Sequence, residues 1–108
     1  MKALAVAAAL AVSVPVAAQD WPRKPIRLIC PFAPGGATDI VARVFAQRLQ
    51  VALKQNVVVD NRGGAGGVIG ADMAAKSEGD GHTLLFSSDS PITIGPNLYR
   101  NAPYDPLR

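Results

Sequence analysis

Two short apolar runs, IRLIC at 26–30 and VVVD at 57–60, each pass directly into a glycine-rich loop, and each loop gives way to a helical pattern. This repeat of strand, loop and helix constrains the fold more than any other feature. Parallel strands need a crossover of a dozen or more residues, usually a helix, and such crossovers are right-handed. An α/β lobe built on a parallel sheet is therefore expected. Ligands of such sheets sit beyond the carboxyl ends of the strands, where the loops of the repeat emerge.

The first loop is PFAPGGATD, Pro31 to Asp39. Pro31 and Pro34 stop the strand, and Gly35-Gly36 lets the backbone turn sharply and pass close to a ligand. Thr38 or Asp39 can serve as N-cap of a helix running to about Lys54, whose unpaired first amides and positive dipole end suit an anion. Gly-Gly followed by Thr-Asp also serves as plain turn and cap chemistry. Along this helix Val41, Val44, Phe45, Leu49, Ala52 and Leu53 recur at three and four, the pattern of a face laid on a sheet. Arg43, Gln47, Arg48, Gln50 and Lys54 take the other face, and Lys54 suits the negative end of the dipole.

The β-branched run VVVD has the composition of a parallel strand buried on both faces. Its loop, NRGGAGGVIG from Asn61 to Gly70, leads into a helix at about Val68 to Lys76. Asn61 is expected to bond back to its own loop or cap it. Gly63, Gly64, Gly66 and Gly67 leave bare backbone whose amides can form a concave anion nest. GAGGVIG misses the dinucleotide-binding GxGxxG spacing by one, and no Walker lysine is present.

A turn cluster, SEGDG, precedes a third short strand at Thr83 to Phe86, which opens into the hydroxyl-rich SSDSP, Ser87 to Pro91. ITIGPNLYRNAPYDP then reads as a short helix or turn and a proline-bracketed segment. Tyr99 and Tyr104 are expected to pack on the domain with hydroxyls at the surface. His82, the single histidine, stands at the entrance of the third strand without a nucleophile pattern and reads as a surface or edge residue. Trp21 packs on the domain edge.

Residues 1–18 have the order of an export signal: Lys2, an apolar run from Ala3 to Val14, and small residues before a cleavage point at Gln19. The run is too short to span a bilayer. One cysteine, Cys30, permits no internal disulfide and reads as a buried strand residue. The formal net charge is +3, one unit of it from Lys2, and the basic residues are dispersed, forming no patch interleaved with aromatics. Nucleic acid is thus a poor partner. No metal-ligand cluster and no cofactor motif can be assembled, and no catalytic residue is assigned. Residues 19–108 form one domain at most, and the end at PYDPLR, without a closing element, reads as the cut edge of a longer protein.

Three stretches carry a family resemblance: KPIRLICPFAPGGATDIVARVFAQRL, VVVDNRGGAGGVIGADMAAKSEGDGHTLLF and NLYRNAPYDP. They resemble, in order and across essentially the whole mature chain, the amino-terminal part of the Bug-type extracytoplasmic solute receptors of tripartite tricarboxylate transporters. The resemblance implies one lobe of a type II periplasmic binding protein fold, its second lobe absent, binding a small organic carboxylate for a membrane permease. It implies ligand contacts from Phe32, Pro34, Gly35, Gly36, Ala37, Thr38 and Asp39, from Gly64, Ala65 and Gly66, and from Ser87, Ser88 and Ser90. Gly63 stands where the family commonly has proline, which frees the loop. A periplasmic nucleotide- or phosphate-binding enzyme domain and a sensory or interaction module are the competing readings.

Overall fold

A computed structural model describes residues 20–108; the expected export signal lies outside the described residues. Three parallel strands, β1 (Ile26–Cys30), β2 (Val57–Asn61) and β3 (Thr83–Leu85), form one sheet in the order β2-β1-β3. Helix α1 (Ala37–Leu53) joins β1 to β2. A short 3₁₀ turn (Ala65–Gly67) and α2 (Val68–Ala75) join β2 to β3. A π-helical turn (Ser90–Ile94) and the short α3 (Gly95–Leu98) follow. None of the helices among the described residues is long and apolar enough to cross a membrane.

The central strand carries the core. Ile26, Leu28, Ile29 and Cys30 are essentially inaccessible, as expected for a strand covered on both faces. Leu28 and Cys30 point to one face, where Ala42 and Ala46 of α1 meet them with Phe32, Val57, Val59, Leu84 and Phe86 around. Arg27 lies on the opposite face and its guanidinium reaches Met73 of α2. The two helices therefore cover opposite faces, as right-handed crossovers in opposite directions along a sheet require.

Two expectations about burial are corrected. Valine-rich β2 is an edge strand, and Val58 is 56% exposed because α2 packs over β1 and β3. Asp60, on that same face of β2, is paired with Arg27 and Arg62. On α1 the sheet-facing row is Asp39, Ala42 and Ala46, continued by half-buried Leu49 and Leu53. Val41 and Val44 are turned out, and Phe45 leans on Phe86 from the flank, ring centres 5.4 Å apart. Alanines win the contact row because their small side chains let the helix axis approach Leu28 and Cys30 closely.

Lys54 stands at the C-terminal end of α1 in a special conformation. It closes α1 in the left-handed conformation, φ 51°, ψ 37°, the position where glycine commonly ends a helix. At the other end of the chain, the Tyr104 hydroxyl does not face solvent; it donates to the Pro91 carbonyl and holds the last segment against the third loop. Burial, with Asp72 nearby, pushes the Tyr104 phenol up from its ordinary value. Tyr99 is partly exposed.

Candidate functional site

Because the strands are parallel, the loops after β1, β2 and β3 emerge at one edge of the sheet, with the first loop in the middle. Two of the three pairs of loops are joined by side-chain hydrogen bonds. Between the second and third, Ser90 Oγ donates to the Gly66 carbonyl at 3.0 Å. Buried Gly67 sits where a Cβ would come within 3.2 Å of Pro91 and 3.3 Å of Phe32. The chain passes that point through consecutive positive φ angles, Ala65 at 50°, Gly66 at 64° and Gly67 at 95°, a left-handed turn closed by Gly67 N–H on the Gly64 carbonyl. Glycine makes this conformation inexpensive, and Ala65 holds it as the one substituted residue of the turn.

Between the first and second loops the link runs through Asn61, whose amide does not serve its own loop as expected. Its Nδ2 donates to the Phe32 carbonyl at 3.1 Å and to Asp39 Oδ1 at 2.8 Å. Its Oδ1 accepts from Arg43 Nη2 at 3.1 Å. Arg43 Nε and the Gly35 N–H both donate to Asp39 Oδ2 at 2.9 Å. Arg62 N–H adds a backbone bond to the Cys30 carbonyl.

The N-cap assignment is corrected in the same place. Extended Gly36 caps α1 with no side-chain bond, so Thr38 and Asp39 lie inside the first turn. Asp39 is 2% exposed and reaches back from the third helical position to the loop, the position from which acidic residues close a capping box. The Arg43 guanidinium, then the Gly35 and Asn61 donors, hold its carboxyl down at about 2. Three donors thus converge on its two oxygens, and Asp39 shapes the first loop.

Between the first and third loops lies an open hollow of about 280 Å³, lined by Ala37, Thr38, Val41, Phe86, Ser87 and Ser88. Its lining carries no charge. The first intrahelical bond of α1 runs from Ile40 N–H to the Gly36 carbonyl, so the amides of Ala37, Thr38 and Asp39 precede the helical ladder. Ser87 Oγ is buried without a hydrogen-bond partner. Of the residues expected in the site, Ala37, Thr38, Ser87 and Ser88 line this hollow, and Pro34, Gly35, Gly36, Gly64, Ala65 and Gly66 are exposed along the same edge. Phe32 packs against the core, and the Ser90 hydroxyl is engaged with Gly66.

A second hollow of similar size lies at the opposite edge, lined by Asp20, Trp21, Arg23, Lys24, Asp80 and His82. Most of its groups serve each other. Lys24 pairs with Asp80 at 2.8 Å, and His82 Nε2 accepts the Arg23 N–H at 3.3 Å with the ring beside Trp21. Lys24, then the His82 amide, draws the Asp80 carboxyl down to about 2, and Asp80 raises Lys24. This cluster fastens the lead-in segment to the start of β3. His82 is accordingly only 12% exposed, a packed residue at this edge of the sheet and not a surface one.

Sequence reasoning missed the part played by Asn61 and Arg43. Two signals were available: the i, i+4 spacing of Asp39 and Arg43, and an amide side chain at the last position of the strand beside the first loop.

Known proteins bear on this arrangement. The model of the tripartite tricarboxylate transporter family receptor matches residues 41–108. Protein BugT of Bordetella pertussis is 54% identical over 97 residues, 89% of this chain and 30% of that protein. Among solved structures, MatC from Rhodopseudomonas palustris with bound malate superposes with a TM-score of 0.74 at 33% identity, covering 79% of this chain and 29% of that one. R. palustris Rpa4515 with adipate gives 0.75 at 39% identity, covering 82% and 29%. The α/β lobe is thus one found in solved periplasmic binding proteins, and the chain spans about 30% of the length of the relatives it matches. Matched over well more than half of its residues, and sharing 54% identity with BugT across most of its length, the chain belongs to the tripartite tricarboxylate transporter receptor family.

Proposed function

We infer that this lobe forms one wall of a cleft that binds a small organic carboxylate in the periplasm, for delivery to the permease subunits of a tripartite tricarboxylate transporter. The observation that carries the reading is a charge-free hollow bordered by the first residues of α1 and by Ser87 and Ser88. The Ser87 hydroxyl, buried and unpaired beside it, gains an acceptor when it turns toward a bound carboxylate. Helix-start amides favour a carboxylate without needing a cation. The malate and adipate held by two relatives support dicarboxylates as the ligand class. Export is supported by the order of charge, apolar run and small residues in 1–18. The reading assigns binding and release only, with no catalytic step, cofactor or metal.

Tight small-molecule sites bury most of their ligand, and one wall leaves half of it in water, where charge interactions are screened. Isothermal titration with malate, adipate, citrate and a nucleotide tests the reading on two proteins: the 108-residue chain, and the same chain continued by the remaining part of BugT. The continued protein should bind a carboxylate at least about a hundredfold more tightly than the lobe alone. Binding of the nucleotide with none of the carboxylates would overturn it.

A further inference from the structure

We propose that Asn61 is the positioning residue of the cleft wall, holding the first loop in its ligand-ready shape from the end of the neighbouring strand. The inference rests on the receptor reading only for the word ligand; the positioning stands on geometry.

The side chain is a matched junction. An amide has two donor hydrogens and one acceptor oxygen with which to serve three partners, and Asn61 uses both kinds of group across the loop gap. One N–H meets the Phe32 carbonyl, the other meets Asp39 Oδ1, and the oxygen takes the Arg43 guanidinium. Asp39 in turn holds the Gly35 N–H, so the path from β2 to the glycine turn is Asn61, Asp39, Gly35. Asn61 is also paired with Cys30 in the ladder, which fixes its backbone on the rigid part of the sheet. The glycine turn of the first loop has no such anchor of its own, since Pro34, Gly35 and Gly36 are exposed and Gly35 takes a positive φ of 86°. A loop of this composition loses much freedom on ordering, and a clamp that removes that freedom beforehand raises affinity without touching the ligand.

The isosteric change Asn61→Asp separates this role from bulk. It leaves shape unchanged, removes both donors and sets a carboxylate against the Asp39 carboxylate. The Arg43 guanidinium, which faces both groups, offsets part of their repulsion, and the remainder makes one of the two acids take up a proton above its ordinary range. A protonated acid then supplies one donor again. Asn61→Asp should therefore open the loop at neutral pH and close it in part as the pH falls toward about 4. The native junction is unaffected over that interval, since Asp39 titrates at about 2.

The test is amide hydrogen exchange by NMR on the 108-residue chain, expressed as protection factors for Gly35 and, as a global reference, Leu28, at pH 7 and pH 4. Asn61→Asp should lower Gly35 protection about tenfold or more at pH 7, with Leu28 unchanged and Gly35 recovering at pH 4. Asn61→Ala should show the loss without the recovery. Unchanged Gly35 protection in Asn61→Asp overturns the proposal, as does absence of acid recovery. Parallel loss at Leu28 overturns it too, because Asn61 would then serve the core. In the chain continued by the remaining part of BugT, Asn61→Asp should weaken malate or adipate binding about tenfold at pH 7. If the native continued chain binds no carboxylate, the receptor reading fails while the exchange data still decide the clamp.

Discussion

Gly70 of α2 lies against Pro31 so closely that a Cβ on the glycine would come within 2.6 Å of the Pro31 Cβ and 2.7 Å of the Arg62 carbonyl oxygen. Two loops and a helix converge at this point, one turn behind the left-handed stretch that ends at Gly67. Ordinary contact between such atoms needs more than 3 Å, and two of the three nearest atoms belong to the backbone, so a side chain cannot swing aside to make room. Glycine is required here for the approach; its φ is an ordinary one.

Gly70→Ala should therefore destabilise the lobe despite the better helix propensity of alanine. Overpacking of this kind costs about 1 to 3 kcal/mol, against a propensity gain of about 1 kcal/mol. Urea unfolding followed by circular dichroism measures the difference. A stability equal to or above the native value would show that Pro31 and the second loop yield freely.

The strands and helices were legible because their signals are local. IRLIC and VVVD are short apolar runs ended by turn residues, and α1 and α2 begin where glycine loops stop. What was not legible depended on distance between elements. Ala42 and Ala46 carry little weight in a hydrophobic pattern, yet they form the contact row, while Val41 and Val44 score highly and face outward. Hydrophobicity ranks side chains one by one, whereas the closeness of a helix to a sheet is decided by the small ones. Asn61 was read for the turn chemistry of its own loop, and its partners turned out to be 18 to 29 residues away. The capping expectation at Asp39 failed for a related reason: a helix starting at extended Gly36 moved the carboxylate from the cap to the third position.

Asp39 also makes the lobe acid-sensitive, with a sign fixed by its shift. Its carboxyl lies at about 2 in the fold against 3.8 without the Arg43, Gly35 and Asn61 donors. A depressed acid contributes stability that is fully present above the unfolded value and is lost as the pH falls through the folded one. Urea midpoints should hold steady from pH 7 to about 5 and decline between about 4 and 2. In Asp39→Asn that decline should be shallower but not absent. Asp80 titrates at about 2 through Lys24 and the His82 amide. Asp60, although burial pushes it the other way, is held below its ordinary value by Arg27 and Arg62. An identical acid slope in the variant would mean that the Asp39 bonds do not distinguish folded from unfolded chain.

Ser87 separates stability from binding most cleanly. Its hydroxyl is buried and lacks a partner, so in the free lobe it costs desolvation with no bond in return. Replacing it by alanine removes that cost and only one atom of volume, and Ser87→Ala should leave the lobe as stable as before or more stable by about 1 kcal/mol. Binding should move the other way. In the chain continued by the remaining part of BugT, a carboxylate in the hollow beside Ala37 and Thr38 would lose the donor that a χ1 rotation of Ser87 brings to it, and malate or adipate affinity should fall by about tenfold. Thermal unfolding of the unliganded protein and titration of the same sample supply both readings. A hydroxyl with a purely structural partner would show the reverse: reduced unfolding temperature and unchanged affinity. Gain in stability with loss of affinity, in one substitution, is the pattern of a group kept unsatisfied for a ligand.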